Sequence, residues 1–288
     1  AALVSDDALD KLATDELVER ALVLDDADEN ADDDYWAIVS ELQRRGDRVT
    51  FEAARALCLD DSDDARCLGV AVLSQLGFAR GRPFLEESVP LVIALCEQAV
   101  SEDVLAASLH ALGHLQDPRG ARAVLARRTH ADATVRLAVA QAAEGVAGEP
   151  PAPGVVDAVI DLTGDEDDGV RNWATFSLAL LFEVDDPRIR ETLHARIDDA
   201  DATTSAEALA GLAARNDPRA APALLARLQA AGEPPYAEQY VIDVLVDAAE
   251  QLGDPRFIPA LAMLREQATQ PDAHDRLTDV IATCAATA

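Results

Sequence analysis

Four copies of one helix start constrain this chain more than any other feature: Asp117-Pro118-Arg119, Asp186-Pro187-Arg188, Asp217-Pro218-Arg219 and Asp254-Pro255-Arg256. In each, the Asp oxygen can accept from free amides of a first helical turn, and Pro suits the first helical position because its missing N–H is not needed there. After each start comes an apolar helical stretch, an acidic turn and a second stretch rich in small residues. Aligned on the first apolar residue after the acidic turn, the second stretches begin at Ala65, Val104, Val135, Val170, Thr204 and Val241, in steps of 39, 31, 35, 34 and 37 residues. Apolar or small residues recur at offsets 0, 4, 8 and 11, close to the helical period. Repetition at this spacing predicts an array of helix pairs, each stacking on its neighbours, and such arrays bind macromolecules more often than they run chemistry.

The pattern predicts first helices at 84–99, 118–129, 154–163, 187–197, 218–230 and 255–268. A weaker pair opens the chain at 7–24 and 33–45, another follows at 48–59 and 63–77, and a second helix at 273–286 closes it. Ser101, Asp132 and Asp168 are expected N-caps. The stretch from Gly148 to Pro153, with three prolines, is read as a long turn inside one continuous array over 1–288. The repeats are placed at about 1–46, 47–78, 83–116, 117–148, 153–183, 186–216, 217–252 and 254–288.

Charge narrows the function classes. Against 54 acidic residues stand 24 basic ones, a net charge of −30. Phosphate backbones and anionic membranes are repelled by such a chain, so neither nucleic acid nor membrane is an expected partner. A basic protein would be attracted and steered in, although acidity also serves solubility. Lys11 is the only lysine, a skew read as genomic base composition. Cys58, Cys67, Cys96 and Cys284 show no C-x-x-C spacing and fall in helical stretches, so free thiols and a cytoplasmic setting are expected. No apolar run approaches the length of a membrane span. Residue 1 is Ala, which leaves room for a trimmed leader.

The D-P-R starts, the pairs Val135-Arg136 and Val170-Arg171, and the run Ala111-Leu112-Gly113 resemble HEAT repeats, in the short bacterial form called PBS-lyase HEAT-like. The resemblance covers most of the chain, is strongest from Val104 to Gly253, and implies an all-α, right-handed α-α superhelix of about eight helix pairs. Leu105, Ser205 and Ile242 stand where the family usually has Arg, so those layers are expected to lack the Asp–Arg pairing between neighbouring repeats. Arg136 and Arg171 are expected to pair with Asp132 and Asp167 four residues earlier.

The resemblance also implies that second helices line a concave surface, with offsets 2, 6 and 10 facing it. That places Trp36, Ser40 and Arg44 in the first layer; His110 and His114 further on; Asn172, Phe176 and Leu180 in the Val170 layer; and Asp243 and Asp247 near the C-terminal end. Phe176 stands where other copies carry Ser40, Ala71, His110, Gln141, Ala210 or Asp247, which makes it a candidate anchor if exposed. Trp173, at offset 3, is either a ligand contact or packing against the next helix. Trp36 is a second aromatic candidate. His110 and His114 share one helix face at i, i+4, a weak zinc pattern with no third ligand nearby in sequence. The acidic turns 25–34, 60–64, 165–168 and 198–201 are expected to form a ridge beside a neutral groove. Together these features predict a non-enzymatic scaffold or adaptor, monomeric and without cofactor, that binds a protein partner of basic character, including an inhibitor or immunity-type role. The alternatives by family analogy are a bilin or phycobiliprotein lyase and a chaperone. A HEAT-like DNA glycosylase is disfavoured, because Arg44 is the one basic residue among the groove positions.

Overall fold

A computed structural model describes residues 9–24, 31–99, 101–231 and 238–286. The expected acidic turn at 25–30 lies outside these residues. Two compact units divide the chain, 1–155 and 156–288. The first holds α1 (Thr14–Leu22), α2 (Ala31–Arg45), α3 (Arg48–Cys58), α4 (Asp63–Gln75), α5 (Leu85–Gln98), α6 (Glu102–Leu115), α7 (Ala121–Leu125) and α8 (Ala133–Ala142), with the start of α9 (Pro153–Leu162). The second holds the rest of α9, then α10 (Asp168–Phe176), α11 (Pro187–Arg196), α12 (Ala202–Ala214), α13 (Ala220–Ala231), α14 (Gln239–Leu252), α15 (Ile258–Gln267) and α16 (Pro271–Ala286). No strand occurs among the described residues.

Within each unit the helices form two rows. In unit 1 the second helices α2, α4, α6 and α8 pack side by side, and α1, α3 and α5 pair with them. In unit 2 the row is α10, α12, α14 and α16, backed by α11, α13 and α15. Their shared faces make the core, which in unit 2 runs from Leu209 and Leu224 through Leu245 to Phe257, Leu261 and Val280. Cys58, Cys96 and Cys284 are free thiols inside these cores, and burial pushes the Cys58 and Cys96 thiols up to about 12.

The turn chemistry follows one scheme. In the D-P-R starts, the carboxylates of Asp117, Asp186, Asp217 and Asp254 each accept from the backbone N–H two residues on. The same carboxylate grips the motif's own guanidinium, as in Arg219 Nη2 to Asp217 Oδ2 at 2.8 Å. Three of those arginines then reach one repeat back, Arg119 to Glu86, Arg188 to Asp157 and Arg219 to Glu191 at 2.6–2.8 Å. Beside Arg219, the buried Asp217 carboxyl is held well below its ordinary range.

Before four of the second helices, α4, α8, α10 and α12, lies a matching device. Asp60, Asp165 and Asp199 each accept from the N–H two residues on, at Ser62, Asp167 and Asp201, and His130 Nδ1 does the same for Asp132. Those second residues are the N-caps, accepting from Ala65, Val170, Thr204 and Thr134. Ser101 and Asp132 cap as expected, but the cap of α10 is Asp167 rather than Asp168. Freed from capping, Asp168 binds Arg171 at 2.9 Å, and Arg171 also clasps the buried Asp199 of the next repeat at 3.0 Å. Arg171 therefore pairs with these two and not with Asp167. Arg136 donates instead to the carbonyls of His130 and Ala131.

Layers are also tied through backbone carbonyls, with or without that arginine. Ser205 Oγ donates to the carbonyl of Ile197 at 2.6 Å, and Arg227 from α13 donates to the same oxygen at 2.8 Å. Arg127 to Cys96 and Arg196 to Thr163 repeat this link. A guanidinium thus meets carbonyls at the C-terminal end of the preceding first helix, where unpaired acceptors and the helix dipole both favour a cation.

Neighbouring second helices approach to backbone contact. A Cβ placed on Gly145 would lie 2.0 Å from the Gly113 carbonyl oxygen, and one on Gly113 would lie 2.7 Å from Ala142 Cα. Gly211 meets Ala179 Cα in the same way at 2.7 Å. After Phe176, α10 continues as a π turn over Ser177–Leu181. Its carbonyl ends are gathered by the half-buried Arg215, which donates to Leu178, Ala179, Phe182 and Val184. A lysine has neither the planar fork nor the number of donors for this task.

Gly145→Ala is expected to lower stability by about 1–3 kcal/mol in urea unfolding, the range of overpacked helix contacts. Gly154→Ala, at an exposed position of α9 where a Cβ meets nothing within 4 Å, should be neutral or stabilising by up to about 1 kcal/mol. Equal effects of the two would refute the close approach.

Candidate partner-binding face

The positions at offsets 2, 6 and 10 differ between layers in how far they reach solvent. In unit 1, Trp36, Ser40 and Arg44 on α2 are exposed; Cys67, Ala71 and Gln75 on α4 are half-buried. On α6, Ala106 is buried while His110 and His114 are exposed, and on α8 Leu137, Gln141 and Gly145 are half-buried. Trp36, 57% exposed, lines a cavity of about 630 Å³ with Leu9, Asp10, Ser40, Glu41 and Arg44. Arg44 is not free there: it binds Glu41 at 2.7 Å and Asp10 at 2.9 Å. Among the described residues no group of three or more His, Cys, Asp or Glu side chains is placed to hold a metal ion, so His110 and His114 stand without a third ligand.

In unit 2 the face is built from α10, α12 and α14. On α10, the Trp173 and Phe176 rings meet at 5.5 Å, tilted, and both are half-buried. Phe176 is therefore not the exposed anchor; Leu180 and Leu181, 46% and 37% exposed, present more apolar surface. On α12 the corresponding residues are Ala206, Ala210 and Ala214, the first two buried. On α14, Asp243, Asp247 and the half-exposed Tyr240 face solvent. Asp243 accepts from Gln239 and Asp247 from Arg276. The face thus has an apolar side on α10, a low alanine floor on α12 and an acidic, aromatic side on α14.

One carboxylate stitches these three helices together. Glu207 on α12 is 2% exposed and accepts from Asn172 Nδ2 at 3.0 Å on α10 and from Tyr240 Oη at 2.9 Å on α14. Asn172 is consequently a structural tie rather than an open contact. Burial pushes the Glu207 carboxyl up to about 7, with nearby Asp201 adding repulsion; the two donors pull the other way and lose. The Tyr240 hydroxyl is raised to about 12, by burial first and then by Glu207. Sequence reading missed this residue, although a signal existed: at offset 3 the other copies carry Leu68, Ala107, Ala138, Trp173 and Val244, all apolar.

The acids of the turns have internal work. In 198–201, Asp198 pairs with Arg227, Asp199 with Arg171 and Arg196, and Asp201 caps α12. In 165–168, Asp165 closes the turn, Asp167 caps and Asp168 binds Arg171. Turn mechanics therefore explains more than the one or two acids per turn that capping alone requires.

Helix pairs stacked two rows deep, as within each unit, are the layers of an α-solenoid. Residues 156–239 match the family model described as HEAT repeats. The X-ray structure of YibA from Escherichia coli is 20% identical over 98% of both chains, with a TM-score of 0.67. Kap95p, whose binding induces the switch loops of RanGDP to adopt the GTP-bound conformation, is 12% identical over 97% of this chain and 42% of its own, with a TM-score of 0.58. The CpcE–CpcF complex of phycocyanin lyase from Nostoc sp. is 17% identical over 95% of each chain at a TM-score of 0.45, too distant to speak for activity. At these identities the likeness is one of fold alone. No curated protein sequence matches the chain. No helix among the described residues is long and apolar enough to cross a membrane.

Because the Glu207 carboxyl is raised in the folded chain, its protonated form stabilises the fold fully below its ordinary value, and this contribution fades as pH climbs through about 7. Relative to Glu207→Gln, the wild type should lose up to about 3 kcal/mol between pH 4.5 and 8, read from unfolding midpoints. Parallel pH profiles for the two proteins would rule this out.

Proposed function

We propose that the chain is a non-enzymatic interaction scaffold and that the α10–α12–α14 face binds a protein partner carrying an apolar anchor beside basic groups. The observation that carries this reading is the exposed Leu180 and Leu181 across an alanine floor from Tyr240, Asp243 and Asp247. An apolar patch of this kind, rimmed on one side by carboxylates, matches the anatomy of interfaces in which a central apolar contact supplies affinity and rim charge supplies steering. The net charge of −30 supports a basic partner through its long-range field, more than the turn acids do, since those serve the fold. An inhibitor or immunity-type role is the form this takes if the partner is a strongly basic toxin. The free cysteines support a reducing, cytoplasmic setting.

Lyase chemistry finds less support at this face. Glu207 is its one buried carboxyl poised near neutrality, and both its oxygens are occupied by Asn172 and Tyr240.

Affinity capture from native lysate by the wild type, by Leu180→Asp and by Asp243→Arg tests the reading, because both substitutions fall at exposed positions and should leave the circular dichroism unchanged. A protein retained by the wild type and lost by both variants is the expected result. Its affinity should fall by about tenfold or more between roughly 50 and 500 mM salt. Retention by Leu180→Asp, or affinity indifferent to salt, would overturn the proposal.

A further inference from the structure

A second feature of unit 2 lies beyond that face, where the ends of α13 and α15 meet α14 and α16. Here a cleft of about 840 Å³ opens, within the size range of small-molecule sites. Its wall is apolar: Ile242, Leu264 and Leu277, with Ala231, Ala268 and Ala273 between them. Among the described residues three charged side chains line it, Asp243, Asp272 and Arg276.

The charges are not balanced. Arg276 turns its guanidinium to Asp247 at 2.8 Å and to Glu250 at 2.5 Å, so its charge is already matched twice over. Asp243 receives only a neutral amide, Gln239 Nε2 at 2.8 Å. Asp272 accepts no hydrogen bond and meets no cation among the described residues. An apolar recess with two carboxylates lacking cationic partners presents a definite chemical demand. Water solvates the carboxylates but leaves the wall wet, whereas an apolar body buried there gains roughly 25 cal/mol for each Å² removed from water. A positive head on that body would meet Asp243 or Asp272.

An anion is excluded by the same geometry. The amino end of α16 would favour negative charge, but Asp272 in its first turn already occupies that position. Arg276, the only cation among the described residues of the wall, is already paired with Asp247 and Glu250.

We propose that this cleft binds a small organic cation, an apolar body carrying a protonated amine, with the body against Ile242, Leu264 and Leu277 and the ammonium between Asp243 and Asp272. The site is independent of the partner-binding face, with which it shares only Asp243.

The test uses the full chain and three probes of one chain length: n-hexylammonium, n-hexanol and n-hexanoate, followed by ligand-observed NMR titration. Hexylammonium should bind saturably, hexanol about tenfold more weakly, and hexanoate not measurably. The double substitution Asp243→Asn and Asp272→Asn, at exposed positions, should bring hexylammonium down to the level of hexanol. Leu180→Asp should leave hexylammonium binding unchanged, which separates this site from the face on α10. Ala273→Phe, filling the cleft, should abolish binding of both probes. Equal affinity for the three probes, an undiminished response of the double Asn variant, loss of binding in Leu180→Asp, or no binding by the wild type would overturn the proposal.

Discussion

Second helices in this chain lie so close that backbone touches backbone, and that closeness governs most of what else the structure does. At Gly113 and Gly145 no side chain of any size fits, and at Gly211 the neighbour is the α-carbon of Ala179. Helices that near each other cannot interdigitate large side chains, which accounts for cores made of Ala, Leu and Val rather than aromatics. It also leaves each layer thin. A thin layer buries little by itself and depends on links to the next one.

Those links are mostly arginine. Three of the four Asp-Pro-Arg guanidiniums bind the acid of the preceding first helix, while Arg127, Arg196 and Arg227 bind carbonyls at its C-terminal end. Several of these groups hold three or more oxygens at once, and Arg215 holds five carbonyls. The near absence of lysine is compatible with genomic composition, yet the geometry supplies a physical reason for it as well. A compact ammonium could satisfy one or two of these acceptors but not a planar set.

What could be read in advance divides by distance along the chain. Helix positions, the Asp-Pro-Arg caps and the caps at Ser101 and Asp132 were legible because their donors and acceptors lie within three residues of one another. The choice between Asp167 and Asp168 was not, since Asx-turn closure by Asp165 decides it and either acid satisfies the local pattern. The Arg171–Asp199 and Asn172–Glu207–Tyr240 ties escaped for a different reason. Their partners sit 28 to 35 residues apart, and which side chains meet depends on the height of each layer, not on spacing. Glu207 was nonetheless visible as an acid on an otherwise apolar row.

The same division reshapes the meaning of the acidity. An excess of 54 acids over 24 bases invites a picture of carboxylates waiting for a partner. In the turns at 165–168 and 198–201, however, the acids close turns, cap helices and hold arginines, so their charge is largely answered within the molecule. The surplus that matters for recognition must then come from carboxylates that fold chemistry does not use. In unit 2 two such carboxylates, Asp243 and Asp272, lie where α14 meets α16, lining a cleft with the half-buried Ile242, Ala268 and Ala273. Charge left over by folding there meets partly covered hydrocarbon, and the proposed binding there rests on that coincidence more than on the net charge.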